Sequence, residues 1–174
     1  MNASDGWKGI LEDDEKILWQ GRPLRSFRPR ITQLPTFLFG SAFAGFALFW
    51  MIMAAAASDR FWMFGLIHFV VGLGVALGPI VLDHLLRKNT WYTLTNRRAF
   101  IATDMPMAGR KLKSYPINRS TLLTLQDGDP PSVYFAEEYR TTKNGSRRME
   151  IGFEAIPDGR DVMELMRSVQ KGVA

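Results

Sequence analysis

Leu34 to Ala57 and Phe61 to Leu82 contain no Asp, Glu, Lys or Arg, and only Ser58, Asp59 and Arg60 separate them. At a rise of about 1.5 Å per residue, about 24 and 22 residues reach roughly 36 and 33 Å as helices, enough for a hydrocarbon core about 30 Å thick with some tilt. A gap that short cannot carry the chain back across, so the two segments must run in opposite directions. The sequence therefore predicts a two-helix transmembrane hairpin over 31–88, with spans at 34–57 and 61–82. A polar N-terminal segment, 1–30, precedes it and a polar domain, 89–174, follows it.

Basic residues give the orientation. Arg22, Arg25, Arg28 and Arg30 precede the first run, and Arg87, Lys88, Arg97 and Arg98 follow the second, whereas the turn holds Arg60 alone beside Asp59. The positive-inside bias places both termini in the cytoplasm and the turn on the other side of the membrane. Trp50, Phe61 and Trp62 suit an interfacial belt at the outer turn. The polar start Met1-Asn2-Ala3-Ser4-Asp5 is no cleavable signal peptide, so the hairpin is expected to direct insertion itself. The chain has no cysteine, which rules out disulfides and thiolate metal sites. Its net charge of +5 is accounted for by cations flanking the hairpin, and a nucleic-acid partner is not expected.

The polar parts read mainly as strands. Glu15 to Gln20 ends at Gly21-Arg22-Pro23, where glycine and proline stop it. Trp91 to Thr95 is aromatic and β-branched, and Asn96-Arg97 turns it into Arg98 to Ala102. Lys111 to Ile117, Thr121 to Leu125, Ser132 to Thr141 and Arg147 to Ala155 complete the set. The last strand alternates, with Met149, Ile151, Phe153 and Ala155 on one face. Matching that face to Val133, Phe135 and Tyr139 requires an odd loop, Asn144-Gly145-Ser146, with Gly145 at positive φ. A closing helix over 158–170 follows, with Asp158 as N-cap and an apolar stripe of Val162, Leu165, Met166 and Val169.

Glu15 through Leu18 to Gly21-Arg22-Pro23, then Tyr92-Thr93-Leu94-Thr95-Asn96-Arg97-Arg98, then Tyr115-Pro116-Ile117, resemble the bacterial pleckstrin-homology-like (PH-like) domain proteins that carry membrane segments. The resemblance implies a cytoplasmic PH-like β-barrel of about seven strands plus a C-terminal helix, with the hairpin inserted between strands one and two. It also implies a non-enzymatic scaffold or binding module, an accessory or assembly subunit that meets another membrane protein, a larger membrane complex or anionic membrane lipid. In such a barrel the hairpin shares one end with the loops Thr103 to Arg110 and Thr142 to Arg148. Arg110, Lys111, Lys143, Arg147 and Arg148 would then form a basic rim facing lipid or a partner, each gaining about 1 kcal/mol near an anionic surface.

His68 is an ionisable residue inside a membrane segment, and hence a functional candidate. The first helix offers no second histidine, so a neutral His68 bonded to a carbonyl, a serine or a partner is preferred to a haem ligand. The alternative function, a membrane enzyme or transport component, would use His68 and the cytoplasmic helix ends. Gly74 and Gly78, and Ser41 with Gly45, have the spacing that lets helices approach closely, and they are expected to pack the hairpin against itself. Glu12, Asp13, Asp14 and Glu15 read as a solvated acidic cluster. Asp127-Gly128-Asp129-Pro130-Pro131 lacks the length of a calcium loop and reads as a turn. No catalytic constellation, metal site or cofactor is expected.

Overall fold

The computed structural model describes residues 5–24, 31–57, 60–106, 108–142 and 145–173. Arg25, Arg28, Arg30, Ser58, Asp59, Lys143 and Asn144, all used above, lie outside the described residues. The chain divides into two compact units, Met1–Leu24 with Arg87–Ala174, and Arg25–Leu86.

The second unit is a helical hairpin of α1 (Leu34–Ala56) and α2 (Trp62–Lys88), each long and apolar enough to cross a membrane. Their outward surfaces are apolar: Phe39 is 68% exposed, Phe46 67% and Ile67 63%. What is buried between them is small. Gly40, Ala44 and Ala47 of α1 face Gly65, Gly72 and Ala76 of α2. A Cβ on Gly72 would lie 2.7 Å from the Ala44 backbone nitrogen, so glycine is needed for the helices to approach this closely. The expected small-residue packing is therefore present, but on different residues. Gly45, Gly74 and Gly78 have open space where a Cβ would stand, and Ser41 is exposed, so none of these four seals the hairpin. At 3.6 residues per turn, a shift of one or two positions moves a four-residue motif to another face.

The first unit contains all seven expected strands and the helix. β1 (Ile17–Gly21), β2 (Thr90–Thr95), β3 (Arg98–Met105) and β4 (Gly109–Pro116) form one antiparallel sheet in that order. β5 (Thr124–Gln126), β6 (Ser132–Thr142) and β7 (Gly145–Phe153) form the other. β1 pairs with β2 across the insertion, Gly21 opposite Tyr92 and Gln20 opposite Thr93. The strands that flank the helical hairpin are thus neighbours in one sheet.

Between the sheets lies an aromatic cluster centred on Phe153, whose ring is 4.7 Å from Tyr92, 5.0 Å from Phe135 and 5.4 Å from Trp19. Leu94, Ala99, Val133 and Ile156 fill the space around it. α3 (Gly159–Lys171) closes the core with Val162, Met163, Met166 and Val169 and ends at Gly172 in the left-handed region. Asp158 occupies the N-cap as expected, although its carboxylate makes no capping bond. At one corner Leu24 N–H donates to the Ala155 carbonyl over 2.7 Å, and Ala155 sits at a φ of 53°.

Two expectations are corrected. The sheets do not close into a barrel: among the described residues no ladder joins β4 to β5. β4 is exposed along most of its length and carries Arg110, Lys111 and Lys113, and three-residue β5 is too short to bridge to it. The β6–β7 connection is two residues, 143–144, and not three, because Thr142 pairs with Gly145 and Tyr139 with Arg148. The parity problem is solved by a bulge at Phe135, between the pairs Tyr134–Gly152 and Ala136–Ile151. The extra residue lets Val133 and Phe135 both be buried while Tyr139 points outward, 71% exposed. Gly145 does adopt positive φ, 120°.

Gly152 makes that bulge possible. A Cβ there would lie 2.7 Å from the Tyr134 Cα. Gly152→Val should therefore destabilise the domain by about 2–3 kcal/mol through overpacking. A denaturant midpoint for the Gly152→Val chain equal to that of the wild type would show that the bulge does not depend on glycine.

Candidate functional site

The turn between β2 and β3 holds the chain that precedes the helical hairpin. Asn96 accepts from Lys16 N–H at 3.0 Å and donates to the Asp14 carbonyl at 3.2 Å, while its own N–H bonds to the Lys16 carbonyl. Next to it the Glu15 side chain is fully enclosed. Thr95 Oγ1 donates to it at 2.6 Å, Arg98 Nη2 at 2.7 Å and Glu12 N–H at 3.1 Å. Arg97 pairs with Glu12. Glu15 is accordingly no part of a solvated acidic cluster. Burial alone would raise its pKa, but donation from Arg98, Thr95 and the Glu12 backbone outweighs that and holds it at about 2. The pairing raises Arg98 in turn, through its hydrogen bonds to Glu15.

A second polar contact joins the sheets. Glu138 of β6 accepts from Lys113 Nζ at 2.7 Å and from Tyr115 Oη at 2.6 Å, both on β4. The lysine and then the tyrosine lower its pKa, while burial and that carboxylate raise Tyr115. The contact runs from β4, an edge of the first sheet, to β6, the middle strand of the second.

Four of the five rim residues, Arg110, Lys111, Arg147 and Arg148, lie among the described residues, on β4 and β7. Arg110 and Lys111 start β4, and Arg110 Nε pairs with Asp104 at 3.0 Å. Arg148 of β7 pairs with Glu137. Arg147 stands directly opposite Arg140, and neither it nor Lys111 has an acidic partner among the described residues. Lys143 lies outside the described residues. Two of the four described rim cations thus have a carboxylate partner.

Within the helical hairpin, His68 Nδ1 lies 3.1 Å from the Phe64 carbonyl oxygen, which accepts a hydrogen bond from it. Its ring lies 5.2 Å from Phe64 and 6.2 Å from Phe43, beside a cavity of about 240 Å³ lined by Phe46, Trp50, Phe61 and Gly65. Among the described residues no group of three or more His, Cys, Asp or Glu is placed to hold a metal.

One feature escapes the sequence. The outer face of the first sheet is partly covered by the N-terminal segment, whose Trp7 meets Phe100 edge-on at 5.2 Å. This is why Phe100 and Thr93 are buried although they point away from the core. Beside that cover is an open hollow of about 530 Å³, lined by Trp7, Gln20, Arg22, Trp91, Thr93 and Phe100. Gln20 Nε2 donates to Thr93 Oγ1 at 3.2 Å along one wall, and the Arg22 guanidinium lies 4.8 Å above the Trp91 ring. The sequence signal was the alternation Trp91, Thr93, Thr95, which leaves one face of β2 without a partner in the core.

The Glu15 geometry sets a pH dependence. A carboxyl lowered from 4.5 to about 2 contributes about 3 kcal/mol of stability above pH 4.5, lost as pH falls towards 2. Glu15→Gln removes this contribution. Its denaturant midpoint should lie below that of the wild type near neutrality, and the gap should close in acid. A gap that is the same at every pH would mean that ionisation of Glu15 is not what matters.

Comparison of the chain with protein-family models, with curated proteins and with solved structures found no match.

Proposed function

We propose that this chain is a membrane-anchored binding module. In this reading α1 and α2 span a bacterial inner membrane, both termini are cytoplasmic, and the two sheets with α3 form a PH-like domain that the hairpin interrupts. Its work is to hold a membrane-protein partner or anionic lipid at the cytoplasmic face, as an accessory or assembly subunit. The observation that carries the reading is the pairing of β1 with β2. A chain that leaves one edge of a sheet through an apolar helix and returns by a second to the neighbouring strand has both crossings anchored in one folded domain. The wide exposed apolar surface of the two helices supports it, since a surface of that extent needs lipid or a partner to cover it. The arginine asymmetry supports the orientation.

Single cysteines at Ser4, Ser58 and Ser168 test the arrangement directly in intact cells. An impermeant thiol reagent should label Ser58→Cys and leave Ser4→Cys and Ser168→Cys unlabelled, and the reverse pattern would overturn the orientation. Purification in mild detergent should then bring down a membrane protein in stoichiometric amount, or bound anionic lipid. A lone chain carrying neither would contradict a binding module.

A further inference from the structure

We propose that the hollow on the outer face of the first sheet binds the headgroup of an anionic phospholipid, with Arg22 holding the phosphate and Trp91 serving as its platform. This rests on the membrane reading above and names a lipid site that the basic loops do not supply. The Arg22 guanidinium carbon lies 4.8 Å from the centroid of the Trp91 ring, a cation–π contact that consumes none of its N–H donors. Among the described residues those donors have no acceptor. Arg110 and Arg148, by contrast, already have carboxylate partners. A planar fork of donors matches two phosphate oxygens at once, and a cation–π contact with an indole holds it in place before the ligand arrives.

The rest of the hollow fits the remainder of such a ligand. Trp7, Phe100 and Ala102 give an apolar wall suited to a glycerol backbone and its first methylenes, and the Gln20–Thr93 hydrogen bond gives a neutral polar edge. A bare phosphate would leave the aromatic walls uncovered. Chain connectivity favours a lipid over a soluble phosphate ester. Trp91 is three residues beyond Lys88, the last residue of α2, so their Cα atoms are at most about 11 Å apart. α2 itself runs six residues past Leu82, about 9 Å, so Trp91 is held within about 20 Å of the end of the apolar run.

The test uses the full chain in mild detergent, with phosphatidylglycerol or phosphatidylcholine titrated in and bound lipid counted by native mass spectrometry. Wild type should retain phosphatidylglycerol in preference to phosphatidylcholine. Arg22→Gln should weaken that binding about ten- to a hundredfold, the range for losing a charge-assisted hydrogen bond. Trp91→Leu should weaken it as well, and glycerol 3-phosphate in solution should not compete. Changing Arg110, Lys111, Arg147 and Arg148 to glutamine should leave this preference in place. Undiminished phosphatidylglycerol binding by both Arg22→Gln and Trp91→Leu would overturn the proposal, as would displacement by soluble glycerol 3-phosphate. Alkaline carbonate washing of cell membranes separates this failure from that of the underlying reading. If wild type washes off, the membrane anchor itself is wrong and the lipid site falls with it. If wild type stays while Arg22→Gln and Trp91→Leu both bind lipid as tightly as before, only the lipid site is wrong.

Discussion

The unit of two sheets and α3 depends on one ion pair, in which the Glu15 side chain is fully enclosed. Glu15 lies before the helical hairpin and Arg98 after it, and the domain is complete only when the two halves meet. An ordinary β-hairpin would join β1 to β2 through a few residues, whereas here Gly21 and Thr90 are separated by the whole insertion. For a flexible loop of that length the extra closure entropy would be about 2–3 kcal/mol. The ionised Glu15 contributes a similar amount, about 3 kcal/mol on the shift in its pKa. Antiparallel helices lower the cost further, because a rigid hairpin returns its second end close to its first. Removing one partner of an enclosed pair strands the other, so the pair enforces the pairing as well as stabilising it.

The segment held by this pair also shapes the outer face of the sheet. Anchoring Glu12, Asp14, Glu15 and Lys16 at the β2–β3 turn lays the preceding residues, Trp7 among them, across Phe100. The hollow beside Trp91 thus has a wall that exists only when the N-terminal segment is docked. Fold closure and the proposed lipid site are linked in this way: whatever releases Glu15 also opens the aromatic wall. At the surface, Glu138 with Lys113 and Tyr115 makes a polar contact between the two sheets, from β4 to β6.

Much of this fold was legible in the residues. Length and the absence of charge were sufficient for α1 and α2, and β-branched and aromatic runs placed all seven strands within a few residues. The helix stripe Val162, Leu165, Met166 and Val169 was correct apart from the omission of Met163. What escaped reading depends on contacts distant in sequence. Glu15 looked solvated beside three other acids because nothing local reveals that Arg98 and Thr95 enclose it. The β6–β7 loop was assigned the wrong parity because alternation was followed through Gly152, although an isolated glycine inside a strand is itself a bulge signal. Ser41, Gly45, Gly74 and Gly78 had the right spacing on the wrong faces, since small residues are frequent all round both helices. Of the rim, Arg110 and Arg148 are partly neutralised by Asp104 and Glu137, partners that only the strand register reveals. Arg22 was counted for its charge alone, and its seat on Trp91 follows from the β1–β2 pairing.

Native-state hydrogen exchange of the full chain in detergent is the most direct test of the central claim, that residues before and after the helical hairpin fold as one cooperative unit. The amides of β1 that pair with β2 should exchange with the same protection as the amides joining β2 to β3, and protection of both sets should fall together in Glu15→Gln. Rapid exchange of β1 while β2 and β3 remain protected would show that the N-terminal strand is an independent appendage, contradicting a domain closed by Glu15 and Arg98.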